Sequence, residues 1–195
     1  MTENYSEVQL DALRELANIG SGTAATALSS LLGRPIDVSV PSALALPLAD
    51  AVEAAGAPEA TVTGVILPVF GDLDAMVLLL FAPESAATIC GLLGVEADSE
   101  VGQSAIGEVA NIVGSSYIGA LGMMTGLALE PRPPQQATDM LAAIVSTVLA
   151  ARADSTELAL LLDSDLVVEG EECSFSFMLV PTAAGVAELL GRLGL

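Results

Sequence analysis

Apolar residues recur at helical spacing over residues 6–32 and again over 99–125. Each run stops at a glycine, Gly33 or Gly126, placed to cap a helix C-terminus. In the first run Leu10, Leu13, Leu16, Leu28 and Leu31 share one side of the helical wheel, the predicted core stripe. An extended stretch follows each long helix and passes through Pro41 or Pro134, where a proline suits an edge strand or a strand end. A short helix comes next, over 48–55 in the first round and 139–151 in the second. Two apolar strands then form a hairpin, 61–70 with 75–81 and 157–168 with 173–180. Each round closes on a helix, 83–93 or 181–193, with Pro83 or Pro181 in its first turn. The predicted fold class is α+β: two related half-domains about a pseudo-twofold axis, with long helices packed on an antiparallel or mixed sheet.

The two rounds also match residue by residue. Glu15-Leu-Ala-Asn18-Ile reappears as Glu108-Val-Ala-Asn111-Ile, an offset of 93 that also carries Ala27-Leu28 onto Ala120-Leu121, Gly33 onto Gly126 and Pro41 onto Pro134. Gly71 matches Gly170 at an offset of 99, which predicts about six extra residues between Pro134 and Gly170. The expected organisation is one domain over 1–195 built from an internal duplication, with halves over about 6–95 and 99–195.

Polar residues of the long helices are just as patterned. Asp11, Glu15 and Asn18 stand at i, i+4 and i+7, within roughly 60° of one another and opposite the leucine stripe. Gly22, Ala25 and Ser29 continue that face. The second helix presents Ser104, Glu108 and Asn111, continued by Ser115, Gly119 and Gly122. A polar cluster beside a strip poor in side chains suits close approach by a partner protein. For either helix alone, an ordinary solvated face is the simpler account. Asn, however, costs on the order of 0.6 kcal/mol against Ala within a helix, yet it stands at the same place in both. Gly20, Gly22, Gly114, Gly119 and Gly122 each cost roughly 1 kcal/mol relative to Ala, so they call for a reason, either docking or tight helix–helix contact.

Composition narrows the chemistry. Of 195 residues 53% are hydrophobic and only 3% aromatic, so the core must be built from Ala, Leu and Val. Asp and Glu number 25 against 5 basic residues, all Arg, for a net charge of −20. Such a chain has no basic footprint for nucleic acid or an anionic membrane. Adaptation to a high-salt cytoplasm is the favoured reading of the charge; an acidic protein with basic partners is the other. Histidine is absent, which removes His-based acid–base catalysis, His metal sites and Ser-His-Asp triads. Cys90 and Cys173 lack a paired spacing and are expected to be reduced and buried. No charged residue occurs between Glu108 and Glu130, long enough for a membrane span. The stretch carries Asn111, Ser115, Ser116, Tyr117, Thr125 and four glycines, so a buried helix leading into a strand is expected instead. The opening Met-Thr-Glu-Asn-Tyr-Ser-Glu has no apolar run of a signal peptide, so a cytoplasmic location is expected.

Asp11, Glu15, Asn18 and Pro41 fit the pattern Asp/Ser-x-x-x-Glu-x-x-Asn, then 22 residues, then Pro; Ser104, Glu108, Asn111 and Pro134 fit it again. That pattern resembles the signature of the CheC/FliY/CheX family of CheY-phosphate phosphatases, and Asn18-Ile-Gly-Ser-Gly-Thr-Ala-Ala and Gly33-Arg-Pro-Ile also look like CheC. Two motifs in one chain point away from single-motif CheX, and the lack of a further C-terminal module points away from FliY. The resemblance implies hydrolysis of the aspartyl phosphate of CheY. Asn18 and Asn111 would orient the attacking water, and Glu15 and Glu108 would pair with the regulator's active-site Lys. Asp11 and Ser104 would support, while Pro41 and Pro134 would shape the following strand. Mg²⁺ would belong to CheY, with no cofactor on this chain. CheD is a second expected partner, and a non-catalytic adaptor binding CheD or phosphorylated CheY is the alternative.

Overall fold

A computed structural model describes residues 7–150, 158–168 and 171–192. The first round comprises α1 (Glu7–Leu32), β1 (Ile36–Pro47), α2 (Leu48–Ala55), β2 (Thr61–Gly71), β3 (Ala75–Phe81) and α3 (Pro83–Leu92). The second comprises α4 (Glu100–Thr125), β4 (Leu129–Pro131), β5 (Gln135–Met140), α5 (Leu141–Ala150), β6 (Leu158–Val168), β7 (Glu171–Pro181) and α6 (Ala183–Arg192). Both long helices end as their sequences dictate. Gly33 and Gly126 adopt left-handed φ of 65° and 73°, and the Gly126 N–H returns to the Gly122 carbonyl at 2.9 Å. Ser99 opens α4, its Oγ accepting from the Gly102 N–H at 3.0 Å.

Among the described residues one seven-stranded sheet runs in the order β1-β6-β7-β3-β2-β4, with β5 also paired to β2. Every pairing is antiparallel. The middle of the sheet is the β3–β7 pair, where Leu79 stands opposite Phe177. On one flank β1 of the first round adds to β6 of the second; on the other, β4 and β5 of the second add to β2 of the first. This exchange gives the sheet its pseudo-twofold arrangement.

Strand side chains alternate between two cores, as the period of two requires. On one side Val65, Leu67, Leu79 and Phe177 pack with Leu28 of α1 and Val113 of α4. On the other Leu78, Leu80, Leu161 and Met178 pack with Ala51 of α2 and Ile144 of α5. Each core therefore lies between one face of the sheet and helices from both rounds.

Several sequence expectations need correction. Leu31 does not belong to the core stripe: it is 42% exposed, whereas Leu16 and Leu28 are buried. A helical wheel gives a side chain's direction but not whether anything stands opposite that turn. Leu28 is the last enclosed residue of α1, and Leu10 and Leu13 lie outside the described side chains. Pro181 does not open the last helix; it ends β7 opposite Ala75, and the Thr182 Oγ1 accepts from the Gly185 N–H at 3.2 Å as α6 begins. Asp139 and Met140 belong to β5, because pairing with Val62 and Thr61 holds them extended before α5 starts. The Gly71 turn residue has φ 125°, and a side chain there would run into the Ala128 carbonyl; its counterpart Gly170 lies outside the described residues.

Candidate functional site

Glu15 and Asn18 project from consecutive turns of α1, and Glu108 and Asn111 from consecutive turns of α4. Glu15, Asn18 and Glu108 are exposed and Asn111 is half-buried. Neither Asn amide makes a hydrogen bond with a described residue, and neither Glu is in an ion pair with one. All four polar ends are thus available to a partner. Asp11 and Ser104 are exposed on the same faces, with the Ser104 Oγ donating back to the Glu100 carbonyl at 2.9 Å. The structure therefore presents two separate Glu–Asn pairs, one on each long helix.

The strip continuing each face is less uniform than the wheel implies. Gly22 and Gly119 are exposed, and a β-carbon on either would meet nothing within 4 Å. Packing does not explain them, which leaves the docking reading in place. Ala25 is half-buried against the core, and the Ser29 Oγ accepts from the Ile36 N–H at 3.0 Å, tying the end of α1 to β1. Gly20 and Gly114 are packing glycines. A β-carbon at Gly20 would lie 2.7 Å from Cε1 of Tyr117, and one at Gly114 would lie 3.0 Å from a Leu67 methyl. The Gly122 position is limited instead by the Leu127 carbonyl at 3.1 Å.

Tyr117 locks the two motif helices together. Its ring fills the space left by Gly20 and lies 4.8 Å from the ring of Phe177. Its hydroxyl meets the Ser164 Oγ at 3.2 Å inside the protein. Burial pushes the Tyr117 hydroxyl up to about 12, opposed by the bond to Ser164. Burial likewise raises the Cys90 thiol, and both cysteines are buried and form no disulfide.

The prolines act at the strands that follow. Pro41 lies where the β1–β6 register slips between Ser39 and Ser42. Pro134 falls in the break between β4 and β5, so the single extended stretch expected there is two strands. Two residues past Pro134, Gln136 pairs with Val65 and shares its side of the sheet, toward α4. The Gln136 Nε2 donates to the Gln103 Oε1 at 2.6 Å, and the Gln103 Nε2 donates to the Ala97 carbonyl at 2.9 Å. The Gln136 Oε1 lies over Gly107, 3.2 Å from where a β-carbon would stand. Sequence reasoning missed both glutamines; strand alternation counted from Pro134 is the signal that points position 136 at the helix.

Among the described residues no group of three or more His, Cys, Asp or Glu is arranged to hold a metal ion. No described helix is long and apolar enough to cross a membrane.

Paired long helices laid on one antiparallel sheet, with strands exchanged between the two rounds, define the class of fold. Solved structures share that fold: FliY of Thermotoga maritima superposes with a TM-score of 0.76 at 20% identity, covering 100% of this chain and 98% of that one. The FliM middle domain of H. pylori gives 0.68 at 10% identity, with coverage of 96% and 99%. The sequence model of the CheC-like family matches residues 8–44, which hold the first motif from Asp11 to Pro41. The CheY-P phosphatase CheC of Bacillus subtilis is 30% identical over 96% of this chain and 95% of its own length. The chain belongs to the CheC-like family.

Proposed function

We propose that this protein is a cytoplasmic phosphatase of the aspartyl phosphate on a CheY-type response regulator. The observation that carries the proposal is the repeated Glu–Asn pair, displayed with unpartnered polar ends on both α1 and α4, in a chain 30% identical to a CheY-P phosphatase. An acyl phosphate is already reactive, so its hydrolysis needs neither a protein nucleophile nor a strong base, and the absence of His is no obstacle. The task is to hold one water in line with the phosphorus. Asn18 or Asn111 enters the regulator's active site, where its Oδ1 accepts a hydrogen bond from that water and its NH₂ donates to a nearby oxygen. The water oxygen forms the new bond to phosphorus and the bond to the aspartyl oxygen breaks, releasing phosphate and a free carboxylate; the water's proton leaves with the phosphate or to solvent. Glu15 or Glu108, one turn away, pairs with the regulator's Lys and fixes the pose. Mg²⁺ is supplied on the regulator, and this chain carries no cofactor of its own.

Phosphate release from phosphorylated CheY in molar KCl tests the proposal. Replacing Asn18 and Asn111 together with Ala removes water positioning without touching the core. If positioning contributes ~100-fold, the barrier rises by roughly 2.7 kcal/mol. Each single change halves the activity if the sites are equal and independent. A double variant that accelerates release at the wild-type rate under saturating regulator refutes the assignment, and the chain is then an adaptor for phosphorylated CheY or CheD.

A further inference from the structure

We infer that Gln136 is a docking and specificity residue of the second site only, making the Glu108–Asn111 site chemically distinct from the Glu15–Asn18 site. This rests on the proposed phosphatase reading and adds an asymmetry to it. Gln103, Gly107 and Asn111 form a single i, i+4, i+8 row along α4, its members about 6 Å apart along the helix axis. Gln136 reaches this row from β5 and lays its Oε1 over Gly107, the residue just before Glu108 and one turn before Asn111.

The orientation of that oxygen is set by a relay. The Ala97 carbonyl can only accept, so Gln103 must turn its NH₂ toward it and its Oε1 away. That Oε1 in turn requires the NH₂ of Gln136, at 2.6 Å. The remaining Gln136 Oε1 has no partner among the described residues, and it is not one of the enclosed, unsatisfied side-chain atoms. It is therefore an acceptor held in a fixed direction and not fully enclosed. Gly107 keeps its place open, because any side chain there would press on it at 3.2 Å. The 93-residue offset puts Leu10 at the position of Gln103 and Ala43 at that of Gln136, so the first site has neither amide. The ligand such an acceptor takes is a hydrogen-bond donor on the docked regulator, a main-chain N–H or a hydroxyl.

Gln136→Met, which keeps the length of the side chain but has no acceptor, separates this role from simple bracing of β5 on α4. It is measured in two backgrounds: Asn18→Ala, in which only the second site works, and Asn111→Ala, in which only the first does. In the second-site protein Gln136→Met should raise KM for phosphorylated CheY about 3- to 10-fold with kcat within about twofold, as expected for one docking hydrogen bond. In the first-site protein both constants should stay at their starting values. Gln103→Met, which removes the relay but not the acceptor, should give a smaller KM increase, again in the second-site protein only. An unchanged KM in the second-site protein, or an equal rise in both, overturns the inference. If the wild-type protein fails to release phosphate at all, the phosphatase reading falls by itself. The affinity for beryllofluoride-activated CheY, compared across the same variants, then decides on Gln136 without turnover.

Discussion

The bond between Tyr117 and Ser164 offers a direct test of what holds the motif helices in place. Ser164 is 0% exposed and Tyr117 is 1% exposed, so water does not reach either hydroxyl without rearrangement. Among the described residues each hydroxyl has the other as its partner, at 3.2 Å. Tyr117→Phe keeps the ring against Gly20 and Phe177 but leaves the Ser164 hydroxyl buried and unsatisfied. Such a group costs about 1–3 kcal/mol, and since the bond is long for two hydroxyls, about 1–2 kcal/mol is expected. For a chain of this length that lowers Tm by roughly 3–6 °C. Adding Ser164→Ala removes the orphaned group, so the double variant should recover part of the loss, with a coupling of about 1 kcal/mol. Urea and thermal unfolding of the four proteins in molar KCl give the cycle. The same pair governs alkaline stability. Tyr117 ionises near 12 in the folded protein against an ordinary 10.0, so the unfolded chain loses its proton first as pH rises. The stabilisation is complete below about pH 10 and is lost between about pH 10 and 12, on the order of 2 kcal/mol. The chain has no Lys to titrate in this range, and Cys90 shifts in the same direction, so the comparison is the slope against that of Tyr117→Phe. A Tyr117→Phe protein as stable as wild type, or one with an unchanged alkaline slope, refutes the reasoning.

Three further outcomes follow from the same structure. Stability should rise strongly between about 0.1 M and about 2 M KCl, because screening relieves self-repulsion of the −20 charge; a Tm that stays level across that range sinks the high-salt reading. Gly22→Ala should stabilise α1 by about 0.5–1 kcal/mol, since its side of the helix is open, while raising KM for phosphorylated CheY if the strip is a docking surface; an unchanged KM removes that role. Gly20→Ala should destabilise by about 1–2 kcal/mol despite the better helix propensity, because its β-carbon collides with the buried Tyr117 ring, and a Tm at or above wild type would contradict the contact.

What was legible in the sequence was mostly local. The two long helices, their glycine stops and the first hairpin follow from apolar period and cap chemistry, signals carried within a few residues. The polar faces of α1 and α4 were equally readable, since Glu15, Asn18, Glu108 and Asn111 repeat at a fixed spacing. What could not be read was decided by distant partners. Whether Leu31 is covered depends on what stands opposite the last turn of α1. Whether Pro181 opens a helix or ends a strand depends on Ala75, far away in the chain. Gly20 and Gly22 are indistinguishable as letters two residues apart; only Tyr117, coming from α4, makes one a packing glycine and leaves the other open. Gln136 is similar, an ordinary polar residue until β5 brings it over Gly107.

The exchange of strands bears on how two sites can share one chain. The strand following each motif helix is paired to the hairpin of the other round, β1 to β6 and β5 to β2. The strand carrying Pro41 is therefore held by second-half residues, and the strand that follows Pro134 is held by the first. The central β3–β7 pair and the Gly20–Tyr117 contact add two more joins between rounds. A cut between the halves would leave β1 and β5 without their partners and would open the cores on both faces of the sheet. The Glu–Asn pairs are thus carried over one continuous sheet, although they stand on separate helices. Differences between the two helix faces are then differences of side chains rather than of separate stabilities. Leu10 and Ala43 stand at the positions held by Gln103 and Gln136 in the second half. Within the motif itself Asp11 stands where the second half has Ser104, so the two helix faces differ in sequence both within the motif and beside it.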